Sequence, residues 1–217
     1  MGKKLVPILI LYGFRSAIAV AAKLYFYHAA MNSGKSTSLL QSAYNLSNIG
    51  QNVLYYTSAL DNRYGYGKIT SRIGLSADAM VIPKDDHSVL NDIMTDINNG
   101  TDIAAIFIDE CQFLNTSQID KLSDIVDNYG VDVHCYGLRT DFSGHLFEGS
   151  KRLMELADKL TELHQYCECG EKATMNARLS DSTEQVLIGG NDEYKSVCRS
   201  CHKQHIRKQN GYHHSSS

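Results

Sequence analysis

The stretch 24–50, LYFYHAAMNSGKSTSLLQSAYNLSNIG, is the most informative part of the sequence for the fold. It opens with an aromatic run typical of a β-strand, passes through small residues, and ends with apolar residues at helical spacing. Between the two stands Gly34-Lys35-Ser36, the core of a phosphate-binding loop, in which backbone N–H groups surround a phosphate, the lysine reaches the outer phosphates and the serine hydroxyl binds Mg²⁺. The sequence therefore predicts a strand, a phosphate-binding loop and a helix, in that order.

The place of this tripeptide carries more weight than the tripeptide itself. Gly-Lys followed by Ser or Thr occurs by chance in roughly one chain in ten of this length, but the motif also requires the strand before it and the helix after it. The full pattern has glycine where this chain has Ala29, a position that serves the turn and does not touch phosphate. We expect ATP to bind along Ala29, Ala30, Met31, Asn32, Ser33, Gly34, Lys35 and Ser36.

The segment IAAIFIDE, residues 103–110, is an uninterrupted apolar run that closes on two acids. Such a run is typical of a strand buried on both faces of a parallel sheet. Similar runs at 52–59 and 131–138 alternate with segments of helical spacing. We therefore expect an α/β fold, a P-loop NTPase-type parallel sheet with helices on both faces. The glycine-rich segment 61–74 is predicted to be a loop.

The two acids, Asp109 and Glu110, fall where a parallel sheet presents its ligand crevice. An acid at this place holds Mg²⁺ through water, and a neighbouring glutamate can act as a base. In isolation the pair would equally fit a solvated strand end. Lys35 in the same chain favours the functional interpretation.

Four cysteines form two close pairs, Cys167-x-Cys169 and Cys198-x-x-Cys201, with 28 residues between the pairs. This spacing is typical of a four-thiolate zinc site, which is closed and structural because no position is left for substrate. Two disulfides or an iron–sulfur cluster are the alternatives, and His202 is a competing ligand. The other two cysteines, Cys111 and Cys135, lie in apolar surroundings typical of a buried thiol, which favours a reducing compartment.

The amino-acid composition of the chain excludes several classes of protein. The chain has 217 residues, 43% hydrophobic and 21% charged, with a formal net charge of −3. These values fit an ordinary folded protein and exclude a disordered or collagen-like one. The negative balance argues against a general polyanion binder, so any phosphate chemistry must be local.

Both ends of the chain differ from its body. Residues 1–22 have the charged, apolar and small-residue regions of a secretory signal, and Arg15 and Ser16 interrupt the run before it reaches the roughly 18 residues of a membrane span. We expect residues 1–22 to be an extension that is non-native or follows from a mis-assigned start, with export as the alternative. We expect a nucleotide-binding domain at 23–163, a zinc-binding lid subdomain of ribbon or lasso type at 164–207, and a disordered tail at 208–217.

Four segments taken together resemble a known family. YHAAMNSGKST (27–37), FIDECQF (107–113), YGLRTDF (136–142) and VLIGGNDEYKSVC (186–198), in this order and with the cysteine pairs, are similar to the type II, cytosolic-type thymidine kinases. The resemblance runs from Lys23 to about Arg207. It implies transfer of the ATP γ-phosphate to the 5′-hydroxyl of thymidine, giving ADP and dTMP for deoxynucleoside salvage.

The resemblance also implies roles for single residues. Glu110 matches the general base, and Ser36 and Asp109 match the Mg²⁺ ligands, directly and through water. Further matches to the ATP site are Asp61, Asn62, Arg63, Asp109, Glu110, Cys111 and Gln112. Matches to the side chains that enclose base and sugar are Met31, Phe113, Leu138, Phe142 and Tyr194, and matches to the loop whose backbone binds thymine are Gln185, Val186, Leu187, Ile188 and Gly189.

The resemblance further implies a cytoplasmic homotetramer, or a dimer, with ATP, Mg²⁺ and structural Zn²⁺ as cofactors and dTTP as feedback inhibitor. No nucleic-acid or membrane partner is expected. Two other interpretations of the residues stay open. The first is a P-loop ATPase in which Glu110 activates water. The second is a zinc-ribbon nucleic-acid-binding module, which the basic stretch HKQHIRKQ at 202–209 suggests.

Overall fold

In a computed structural model, the structure describes residues 21–60, 65–180, 184, 189 and 192–214. The predictions made for residues 1–20, for Asp61, Asn62 and Arg63, for residues 185–188 and for 215–217 lie outside the described residues. No helix of the described part is long and apolar enough to cross a membrane.

Six parallel strands form the central sheet, in the order β5-β2-β6-β7-β1-β8. The bounds are β1 Leu24–Ala29, β2 Val53–Ser58, β5 Met80–Ile82, β6 Ala105–Asp109, β7 Asp132–Leu138 and β8 Lys159–Glu162. Register places Ala29 beside Leu138 and Thr57 beside Asp109. The carboxyl ends of these strands therefore meet at one edge, which is where ligands bind in such sheets.

Helices cover both faces of this sheet, so the predicted fold class is confirmed. The helices are α1 Lys35–Asn48, α2 Ser88–Asn98, α3 Thr116–Tyr129, α4 Glu148–Leu156 and α5 Arg199–His214. On one face α1 packs Leu39 against Phe107 and Tyr136. On the other face α2, α3 and α4 bury apolar side chains against Ile106 and Ile108. Alternate residues of β6 thus enter two different cores, and this explains its uninterrupted apolar run.

Part of the glycine-rich segment is more regular than predicted. The strands β3 (Lys68–Thr70) and β4 (Ser76–Asp78) pair antiparallel, so the loop predicted for 61–74 is wrong at Lys68–Thr70, whereas residues 71–74 form the turn between the two strands. The cause is Ile69, which is 1% exposed and packs with α1. One buried apolar side chain fixes the segment to the sheet despite its glycines.

A second hairpin lies beyond the sheet. The strands β9 (Met175–Arg178) and β10 (Tyr194–Val197) pair antiparallel, with Asn176 opposite Ser196. The cysteine pairs flank this hairpin, and α5 follows it. The division of the chain at residues 163 and 164 stays a prediction.

Candidate functional site

The phosphate-binding loop turns directly into α1. Gly34 caps the helix with φ +76°, a left-handed conformation that glycine adopts without strain. Lys35 is buried, and its Nζ donates to the Ala30 carbonyl at 3.0 Å. The first turn of α1 thus presents its N–H groups and a buried ammonium at the edge of the sheet, an arrangement suited to a phosphate.

The serine after this lysine meets the acid at the end of β6. Ser36 Oγ donates to Asp109 Oδ2 at 2.8 Å. Hydroxyl and carboxylate oxygens side by side are the donor set that Mg²⁺ prefers, so these two residues fit a magnesium ion. Burial and the adjacent Glu110 carboxyl raise the pKa of Asp109 above its usual range, while the Ser36 hydroxyl and the Lys35 ammonium oppose that rise.

Glu110 stands in an uncommon backbone conformation. Its φ of 53° and ψ of 37° are left-handed, which strains a residue other than glycine and is a frequent mark of functional sites. Its Oε2 accepts from Gln112 Nε2 at 2.5 Å, and Gln112 Oε1 accepts from Leu138 N at 3.0 Å. Gln112 therefore connects the carboxyl group of Glu110 to the end of β7.

Glycine at position 137 makes this arrangement possible. A Cβ there would stand 2.6 Å from Gln112 Oε1 and 2.7 Å from Cys111 Sγ. Both distances are shorter than a van der Waals contact, and both neighbours are buried. Any side chain at Gly137 would therefore displace the glutamine that holds Glu110.

A cavity of about 220 Å³ joins the phosphate loop to the hairpin region. Glu110 lies on its wall. The predicted nucleoside residues that the structure describes all line it, namely Met31, Phe113, Leu138, Phe142, Gly189 and Tyr194. The structure therefore brings together, around one space, residues that the sequence spreads over more than 160 positions.

Several lining residues were missed by the sequence analysis, and two of them lie in one turn. Arg72 and Ile73 reach the cavity from the turn between β3 and β4. Ser71 orders this turn, because its N–H donates to Leu75 O at 2.8 Å and its hydroxyl accepts from Leu75 N at 3.0 Å. Arg72 is the second cation on the cavity wall besides Lys35 among the described residues. Its basic, glycine-flanked segment was a usable signal.

A buried arginine shapes the other end of the cavity. Arg178 is 1% exposed, and its Cζ lies 3.8 Å from the ring centroid of Phe142 and 5.2 Å from that of Tyr194. The guanidinium donates to the Tyr194 hydroxyl and to the Glu184 carbonyl. It thus holds two aromatic walls and the backbone of Glu184 together. Nothing in the strand-like run around it, MNARL, indicates this role.

The four paired cysteines converge. Their Sγ atoms lie within 4.8 Å of one another, all four thiols are free, and Cys169 Sγ is 3.7 Å from Cys198 Sγ. Four sulfurs at about 2.3 Å from a tetrahedral zinc ion would lie about 3.8 Å apart, so the cluster fits zinc. His202 is not part of it, because its Nε2 pairs with the Phe142 carbonyl at 2.6 Å.

The family model for thymidine kinases matches residues 22–202. The chain belongs to the thymidine kinase family. A thymidine kinase of Shewanella oneidensis is 50% identical over 184 residues, which cover 82% of this chain and 95% of that protein. Thymidine kinases of Vibrio vulnificus and Haemophilus influenzae are each 48% identical, covering 86% and 84% of this chain and 100% and 97% of their own lengths. Among solved structures, a helicase from Candida albicans aligns with 66% of this chain and 36% of its own at 14% identity and a TM-score of 0.40.

Membership of the thymidine kinase family confirms the resemblance that the four sequence segments indicated. The roles of single site residues stay predictions. Those of Asp61, Asn62, Arg63, Gln185, Val186, Leu187 and Ile188 fall outside the described residues.

Proposed function

We propose that this protein phosphorylates thymidine, transferring the γ-phosphate of ATP to the 5′-hydroxyl to give ADP and dTMP. The observation that carries the proposal is the single cavity in which Lys35, Ser36 and Glu110 share a wall with Leu138, Phe142 and Tyr194. A phosphate donor at one end and a nucleoside at the other would meet at Glu110. The names of the relatives, at about half identity over most of the chain, support the same activity.

The donor end binds the triphosphate. The N–H groups of the loop and of the first turn of α1 hold phosphate oxygens, and Lys35 neutralises charge that develops on the transferred group. Ser36 and Asp109 would hold Mg²⁺, which would offset the negative charge of the phosphates. Arg72 faces the same space and adds a second cation.

Glu110 acts as general base on the acceptor. Its carboxylate accepts the 5′-hydroxyl proton as that oxygen bonds to the γ-phosphorus and the bond from phosphorus to the ADP oxygen breaks. Gln112 holds one carboxylate oxygen in place, so the proton is taken by a group that does not need to reorient.

The acceptor end encloses the nucleoside. Phe142 and Tyr194, held by Arg178, provide aromatic walls, and the loop that contains Gly189 offers backbone groups to the edge of the base. A small space at the 5-methyl group would favour thymine over cytosine. The four cysteines would hold zinc, which would fix the hairpin and take no part in the chemistry.

Regulation and assembly follow from the family. We propose a cytoplasmic homotetramer or dimer that is inhibited by dTTP, whose nucleoside would fill the acceptor end while its phosphates reach the loop.

The test is a radiolabelled phosphate-transfer assay over the four deoxynucleosides. We expect transfer to thymidine and ADP release that depends on it. ADP release that is equally fast without nucleoside would instead support a P-loop ATPase of another class. Salt-sensitive DNA affinity in the micromolar range without transfer would favour a nucleic-acid-binding module.

A further inference from the structure

Two facing residues of the β9–β10 hairpin hold one residue of the phosphate-binding loop. Asn176 Oδ1 accepts from Met31 N at 2.8 Å, and Ser196 Oγ donates to Met31 O at 2.6 Å. Asn176 and Ser196 are register partners across the hairpin, and they are 3% and 7% exposed. Both backbone polar groups of Met31 are thus satisfied by a hairpin more than 140 residues away in sequence.

These bonds set the two peptide planes around Met31. The plane that contributes Met31 N–H also carries the Ala30 carbonyl, which accepts from Lys35 Nζ at 3.0 Å. The plane that contributes Met31 C=O also carries the N–H of Asn32, which points the opposite way because the peptide is trans. The hairpin thereby orients the partner of the phosphate-binding lysine and one N–H of the loop.

The same two strands lead directly into the cysteine cluster. Met175 pairs with Val197, the residue before Cys198, and Thr174 N donates to Val197 O at 3.1 Å. Asn176 also donates through Nδ2 to Thr140 O at 3.3 Å, beyond the end of β7. A change in the distances between the four cysteines would therefore displace Asn176 and Ser196, which lie within one or two strand positions of the cluster.

We propose that Asn176 and Ser196 form a clamp on Met31 through which the metal-bound hairpin sets the conformation of the phosphate-binding loop, so that ATP affinity depends on the metal in the cysteine cluster. They are positioning residues. The inference rests on the proposed function only in that the loop binds ATP. Linkage makes the effect reciprocal, so bound ATP raises the equilibrium affinity of the cluster for the metal by the same factor.

The first test removes one bond without changing the cavity wall. Ser196 does not line the cavity that holds the substrates. The variant Ser196→Ala therefore removes only the hydrogen bond that the Ser196 hydroxyl donates to Met31 O. The dissociation constant of a non-hydrolysable ATP analogue should rise about three- to tenfold, the usual worth of one such bond, with zinc content and melting behaviour near those of the wild type. Ser196→Thr, which keeps the hydroxyl, should restore much of the affinity.

The matched control is Ser150→Ala. Ser150 is also fully buried and donates an equally short bond, 2.6 Å, to a backbone carbonyl, that of Leu138. It lies on α4, outside the hairpin. The variant should leave the dissociation constant of the ATP analogue unchanged. If that constant rises as much as it does in Ser196→Ala, the effect of Ser196→Ala is a general destabilisation and the clamp is refuted.

The second test measures the coupling itself. Zinc is removed with a thiol-competing chelator in excess Mg²⁺, and binding of the ATP analogue is measured before and after. We expect removal to weaken binding several-fold in the wild type and clearly less in Ser196→Ala, because part of the connection is already cut. Equal weakening in both proteins, or none in the wild type, would overturn the proposal. Thymidine transfer is not part of this readout, so a failure of the proposed function would appear separately, as intact coupling without transfer.

Discussion

The two regions that build the cavity owe their order to different forces. The sheet edge stands on cores that extend from β5 to β1 and from α1 to α4, whereas the buried core of the hairpin consists of Cys167, Ala173, Ala177, Val197 and Cys198. Two of these five are candidate metal ligands, and two of the others are alanines with little area to bury. The donor end is therefore held by the hydrophobic effect, whereas the hairpin at the acceptor end depends on polar bonds and on the metal that its cysteines would coordinate.

Glu110→Gln gives the largest effect, because Glu110 stands where the two regions meet. Turnover should fall by about 100-fold or more while ATP and thymidine still bind. The neutral amide fills the same space but accepts no proton at neutral pH. Steady-state rates with separate binding measurements check this, and turnover near that of the wild type would remove Glu110 from the role of base.

Arg178→Lys isolates the acceptor end. A lysine keeps the buried charge but loses the planar stack on Phe142 and the geometry of the two hydrogen bonds. We expect KM for thymidine to rise about tenfold with KM for ATP changed less than about twofold. Arg152→Lys, at a half-exposed ion pair with Asp120, is the control and should change neither. Equal losses for both substrates would mean that the regions are not separable.

Arg72→Ala isolates the donor end. Arg72 is exposed and lines the cavity near the phosphate loop, so its loss should raise KM for ATP about threefold, with less effect at high salt, since exposed charges are screened. KM for thymidine should stay unchanged. Lys68→Ala, on the same hairpin and outside the cavity wall, is the comparison variant. A threefold rise there too would assign the effect to net charge.

The variant His134→Phe tests the sheet alone, and it should leave KM for ATP and KM for thymidine unchanged. His134 stacks on Tyr25 at 4.4 Å and on Phe107 at 4.7 Å between centroids, and burial lowers its pKa from 6.5 to about 4, against a small opposing effect of Asp132. As the pH falls, the unfolded chain takes up a proton on this histidine before the folded chain does. The stability that the neutral His134 contributes is therefore present above pH 6.5 and is lost as the pH falls toward 4. The free energy of unfolding should drop by about 1–2 kcal/mol between pH 7 and 5.

The phenylalanine keeps the ring stack and cannot titrate, so it should flatten that part of the pH profile. Denaturant unfolding at several pH values measures the slope. An unchanged slope would place the titration elsewhere.

The sequence was informative where a pattern has one physical cause. Apolar runs predicted buried parallel strands, and cysteine spacing predicted the cluster, since each pattern follows from local geometry. Arg72 and Arg178 escaped prediction because their positions depend on packing between distant parts of the chain. Arg72 is placed by the packing of its neighbour Ile69 on α1, and Arg178 is enclosed by Phe142 and Tyr194. The nucleoside residues came from the family resemblance, since apolar side chains alone do not distinguish a pocket from a core.

The place of β1 in the sheet has a consequence for how the chain folds. Lys23 N bonds to Asp132 at a separation of 109 residues, and Leu24 N to Asp158 at a separation of 134. Because β1 lies between β7 and β8, it leaves the ribosome long before either neighbour exists. Such non-local pairing slows folding and leaves apolar surface exposed meanwhile. Among the strands that the structure describes, the first to be synthesised is thus among the last to be enclosed, and the phosphate-binding loop that follows it gains its complete sheet only after β8 has been made.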